Sequence, residues 1–236
     1  MMCITCPHFG HENVGVAASG LPLEWRAYAE WNGWMIEMNI GNPRDAVAWS
    51  AACTKTCAEV EEPGWLRRLP VIGQAVSHHL LGETDEAIRA ALRARAIPVS
   101  PYGRIEGQVM AIEVAPALAA GGDEELAKQV LRDATLMVRR LGTPLAENHL
   151  LSMFAYVEYL RGRPERAGRL LGAARYLAGA ADLPVPFRTP GSMSLYRHYL
   201  PIVRAALGPD EARRARNEGR AMTLDGALAY ALDGLG

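Results

Sequence analysis

Along most of the chain apolar residues recur at helical spacing, and no stretch alternates convincingly at period two. One face carries Ala127, Val130, Leu131, Ala134, Met137 and Leu141; another carries Leu150, Met153, Phe154, Val157 and Leu160. The pattern predicts helix pairs over 24–40 and 43–61, 65–81 and 83–96, 103–120 and 123–141, and 145–161 and 164–180. After Pro190 it predicts about three more helices, with breaks near Gly208 and Gly219.

These pairs are copies of one unit. Gly41, Gly82, Gly122 and Gly162 each follow an apolar run, at spacings of 41, 40 and 40 residues. Five positions after each glycine stands Ala46, Ala87, Ala127 or Ala167, and seven further on Cys53, Ala94, Ala134 or Ala174. Seven before it come Trp34, Ala75, Ala115 and Ala155. A glycine can end a helix at positive φ without steric cost. Pro43, Thr84, Asp123 and Pro164 then suit a helix start. Small residues two turns apart leave a flat strip for a partner helix, and Pro63, Pro144 and Pro184 stop the second helix of a pair.

Small residue, glycine, alanine and small residue at these offsets resemble the tetratricopeptide repeat, stretched to 40 residues. The stretch Pro164-Glu165-Arg166-Ala167, the Arg169–Ala174 run, the Leu183–Pro186 linker, Leu207-Gly208-Pro209-Asp210 and Glu218–Ala227 narrow the likeness. They resemble the helical-repeat region of actinobacterial LuxR-type and cyclase-associated ATPase regulators, from about Leu23 onward and best after Arg163. That resemblance implies an all-α, right-handed α-α superhelix of TPR-like helix pairs with a C-terminal helical cap. It divides the chain into a poorly ordered tail (1–22), four repeats (23–187) and a cap packed on the array (188–236). In such regulators an ATPase module precedes the repeats and a DNA-binding domain often follows. No Gly-x4-Gly-Lys-Ser/Thr loop occurs in this sequence, and the likeness ends where the DNA-binding domain would begin, so neither activity is expected of a residue here.

Composition sharpens the picture. With 25 basic and 26 acidic residues the net charge is −1, unlike a surface built to neutralise phosphates. No segment has the ~18 consecutive apolar residues of a membrane span. The first twenty residues carry no apolar signal region, and four cysteines are too few for a disulfide scaffold; a reducing cytoplasm is the expected setting.

If the first helix of each pair lines the concave side of a superhelix, positions thirteen, ten, six and three before each glycine face the groove. The face is apolar, with rings at its ends: Tyr28, Trp31, Met35 and Met38 at one, His149, Tyr156 and Tyr159 at the other, and His79 between. Such a groove suits an amphipathic helix or peptide, or a small-molecule effector, better than nucleic acid or membrane. Packing between repeats or against the tail would account for the same residues, since aromatic stripes at helical spacing are more often core than site. The Trp25, Tyr28, Trp31 and Trp34 series reads as a terminal cap or as a docking surface.

Cys3, Cys6, His8 and His11 are the ligand types of a zinc site, but the histidines are closely spaced and eleven residues offer little core to hold a tetrahedron. A plain tail is the reading they favour. Cys53 and Cys57 lie one turn apart, with Cys53 in the small-residue column, and read as buried apolar groups. No catalytic grouping stands out and no cofactor is called for. The sequence therefore suggests a non-enzymatic scaffold or sensor module binding a protein partner or effector in signal transduction or transcription regulation. Two alternatives stay open: a zinc- or thiol-dependent protein working through its N-terminal cysteines, and the remnant of a split ATPase regulator.

Overall fold

Residues 20–61, 64–98, 111–142, 144–180 and 189–236 are described by a computed structural model. Among them every regular element is helical. The first pair is α1 (Leu23–Ile40) and α2 (Pro43–Glu59), and the second is α3 (Leu69–Leu80) and α4 (Thr84–Ala96). Next come α5 (Ala115–Ala120) with α6 (Glu124–Leu141), then α7 (Pro144–Leu160) with α8 (Pro164–Ala180). Three helices finish the chain: α9 (Pro190–Leu207), α10 (Pro209–Arg220) and α11 (Leu224–Asp233).

The turn inside each pair is built the same way four times. Gly41, Gly82, Gly122 and Gly162 have φ of 87°, 74°, 85° and 74°. In each, the glycine amide donates to the carbonyl three residues back, and the next amide reaches five back, as in Asn42 N to Glu37 O (2.8 Å) and Arg163 N to Glu158 O (2.9 Å). This is the Schellman arrangement, which satisfies carbonyls that the helix end leaves over. The alanine column has a defined place in it. The amides of Ala46, Ala87, Ala127 and Ala167 close the first hydrogen bond of the second helix, onto Asn42, Glu83, Asp123 and Arg163. All four alanines are fully buried, and the later column of Cys53, Ala94, Ala134 and Ala174 is buried too.

Trp34 is the one large side chain in the column that Ala75, Ala115 and Ala155 otherwise fill, and it too is buried. Gly73 makes room for it: a Cβ there would collide with the indole. The Trp34 Nε1–H donates to Ser77 Oγ at 3.1 Å, and its ring stacks on Trp31 with centroids 4.5 Å apart.

Prolines correct two of the expected boundaries. α3 begins at Leu69 after a 3-10 turn over Gly64–Arg67, and Pro70 sits in its first turn. The helix expected over 103–120 is, in its described part, a 3-10 turn (Ala111–Val114) followed by the short α5. Pro116 has no N–H to donate and its ring would clash with the carbonyl four residues back, so it fits the first turn of an α-helix better than the interior of a longer one. Residues 103–110, like the 1–19 tail and the 181–188 linker, lie outside the described residues.

The expected break at Gly208 is present, with φ of 76° between α9 and α10. The expected break near Gly219 is present too: α10 ends at Arg220, Met222 N donates to the Gly219 carbonyl at 3.1 Å, and the Thr223 hydroxyl caps α11 by accepting from Gly226 N at 3.1 Å. The absence of a side chain serves contact at Gly219. A Cβ there would strike the Arg169 carbonyl, and one on Gly172 would strike the backbone of Arg216. α8 and α10 therefore meet backbone to backbone.

Candidate functional site

The first helices α1, α3 and α7 direct one face toward α9, which packs on all three and on α8. Ser194 Oγ donates to the Met38 carbonyl at 2.7 Å, and Arg197 Nη1 donates to the Asn39 carbonyl at 2.6 Å. Near the middle of α9, Tyr199 is held by three partners. It stacks on Tyr156 with centroids 4.6 Å apart, meets Tyr159 edge-on at 6.1 Å, and shares a 2.6 Å hydrogen bond with His79 Nε2. Burial, and secondarily His198, lower the His79 pKa to about 4, so the imidazole is neutral near pH 7. Burial, then Tyr159, raise the Tyr199 hydroxyl above its ordinary range, so it keeps its proton. The pair is a neutral hydrogen bond inside an aromatic cluster.

The N-terminus of α9 is anchored on an acid that periodicity alone does not single out. Glu113 stands within the apolar Ile112–Leu118 run and is fully buried. The Thr189 hydroxyl donates to Glu113 Oε1 and accepts from Ser192 N at 3.1 Å, capping the helix. His149 Nε2 lies 3.6 Å from the same Oε1. A Cβ on Gly191 would run into Glu113 Oε2, so only glycine lets the carboxyl come this close. Burial pushes the Glu113 carboxyl up to about 8, against the hydrogen bonds from Thr189 and Ser192 that favour its ionised form. Its sequence signal is an acid in an otherwise apolar run, paired with a later Thr-Pro-Gly-Ser helix start.

A second buried acid fastens the far end of the chain. Glu158 is fully buried beside Arg161 (3.0 Å), Arg166 (3.1 Å) and Arg163 (3.6 Å). These arginines also donate to the last carbonyls of α11: Arg161 and Arg163 to Gly234, and Arg166 to Tyr230. The arrangement neutralises a buried charge and caps a helix end in one cluster.

The residues expected to line the groove thus fall into two sets. Met38, His79, Tyr156 and Tyr159 gather under α9, and His149 lies beside Glu113 at the start of α9. Trp31 is buried against Trp34, Met35 is half-buried, and Tyr28 is 43% exposed. Trp25, on the same helix, is 65% exposed. Cys53 and Cys57 are buried with sulfurs 4.0 Å apart, and the Cys53 thiol donates to the Ala27 carbonyl at 3.2 Å. The hydrogen bond to Cys57 and burial push the Cys53 thiol above its ordinary range. Cys3, Cys6, His8 and His11 lie outside the described residues. No helix among the described residues is long and apolar enough to cross a membrane.

No protein-family model, curated protein or solved structure matches the chain.

Proposed function

We propose that this chain is a non-enzymatic helical-repeat scaffold of the tetratricopeptide type, with the concave face of a right-handed superhelix as its binding surface. The expected ligand is a helical segment of a protein partner, or an effector that competes for the same face. The regulatory setting, cytoplasmic signal transduction or transcription control, rests on the resemblance to actinobacterial regulators. One observation carries the reading: α9 is seated across the first-helix face through both backbone acceptors and aromatic rings. A surface that accommodates one helix by these contacts has the chemistry to take another. A ligand that displaced α9 would shift the population of arrangements at the end of the chain.

The test uses α9 as its own probe. A labelled peptide of residues 189–208 should bind saturably to a full-length Ser194→Ala/Tyr199→Ala variant, whose own α9 is weakened. It should bind the unaltered chain far less. Fluorescence anisotropy measures both. Failure of the peptide to bind the variant, with helicity retained by circular dichroism, would assign the face to internal packing alone.

A further inference from the structure

Beyond the face that α9 covers, a cavity of about 600 Å³ opens between α8, α9 and α10. That volume is within the range of small-molecule sites, roughly 300–1,000 Å³. Its walls include Leu171 of α8 and Leu200, Val203 and Leu207 of α9. The close glycine contact of α8 with α10 closes its base, because Gly168 and Gly172 bring no side chain into it.

Arg175 of α8, Arg204 of α9 and Arg213 and Arg216 of α10 also line the cavity, and no acidic residue does. Arg213 pairs with Asp210 at 3.3 Å. Among the described residues Arg175, Arg204 and Arg216 make no ion pair, although the chain holds as many acids as bases to within one. Elsewhere on the same helices arginines are paired, as Arg169 is with Glu165 and Glu218. Three exposed arginines on three different helices, without an ion pair among the described residues, thus line one cleft with leucine and valine walls.

We infer that this cleft is a binding site for an amphipathic organic acid: a hydrocarbon chain against the leucines, with its carboxylate on the arginines. The two halves of the site select the two halves of the ligand. Removing a hydrocarbon from water drives the chain inward. The planar guanidinium fork matches a carboxylate in two parallel hydrogen bonds. A polyanion without an apolar part would leave the leucine walls unused, and a neutral lipid would leave the cations unused. The inference does not depend on the proposed role of the concave face.

Isothermal titration of the full-length chain with dodecanoate, below its micelle concentration, should show one molecule bound per chain. Dodecanol and dodecyltrimethylammonium should each bind at least about tenfold more weakly, since a hydrogen bond to a charged group is worth about 1.5–3 kcal/mol. Arg204→Gln/Arg216→Gln should weaken dodecanoate by about tenfold or more with helicity unchanged. Ala212→Trp, which fills the cleft from its half-exposed wall on α10, should abolish binding. Equal affinity for the alcohol or the quaternary amine would overturn the assignment, as would undiminished binding to both variants. No binding of dodecanoate, or competition by an acidic amphipathic peptide that itself binds more tightly, would overturn it as well.

Discussion

The first-helix face is one surface with two fates. Where α9 crosses it, Tyr156 is fully buried and Tyr199, Tyr159 and His79 interlock around it. Toward the start of α1, beyond the Ser194 and Arg197 contacts, the same face carries Tyr28, 43% exposed. Both parts arise from one pattern of helical spacing. What separates them is whether another element supplies complementary rings and donors, which no property of the face itself determines.

Cutting the covered half at its centre should have the largest effect. Tyr199→Ala removes a buried ring stacked on Tyr156 and leaves His79 Nε2 without its phenol partner. Large-to-small changes at buried aromatic sites cost about 3–5 kcal/mol. The urea midpoint should fall accordingly, while Tyr199→Phe, which keeps the ring and loses the hydroxyl, should lose about 1 kcal/mol. Equal losses from the two variants would mean that the ring stack does not hold α9 in place.

The repeat was legible because its signals are local. A positive-φ glycine and the alanine that closes the next helix lie five residues apart, so their cause and consequence fall within a single turn. Trp34 shows the limit of that logic. It departs from its column of small residues, and the reason is Gly73, 39 residues later on another helix. Gly219 was legible as the end of a helix but not as a contact, because close approach to Arg169 is a property of two helices and not of one. The candidate site follows the same rule. Helical spacing identified the face, but which part is covered depends on where α9 lands, and that is fixed by Glu113, Thr189 and Gly191 across 76 and 78 positions of sequence.

The anchor at Glu113 makes the covered half sensitive to pH. Its folded-state pKa of about 8 lies above the ordinary 4.5, so the folded chain keeps a proton that the unfolded chain has lost. That stabilisation is complete below about pH 4.5 and disappears as pH rises through 8. His79 acts in the opposite sense: lowered from 6.5 to about 4, it removes stability as pH falls through that window. Above pH 6.5 only Glu113 of the two still contributes, so stability should decline toward pH 8 by up to about 1.4 kcal/mol per pH unit. Chemical denaturation at pH 6.5, 7.2 and 8, all about evenly spaced test points across the upper window, measures the slope. Glu113→Gln should flatten it, and an unchanged slope in that variant would remove Glu113 as its cause.

The uncovered half should respond least. Tyr28 is 43% exposed, and substitutions at exposed positions usually change stability by no more than about 0.5 kcal/mol. Tyr28→Ala should therefore leave the urea midpoint close to that of the native chain, and should leave binding of the 189–208 peptide to the weakened-α9 variant intact. The peptide result matters more than the small stability change. The hydrogen bonds from α9 to α1 fall on the Met38 and Asn39 carbonyls, ten and eleven positions along the chain from Tyr28. A Tyr28→Ala loss comparable to that of Tyr199→Ala would show that the two halves form one cooperative surface, and the division between covered and open face would no longer stand.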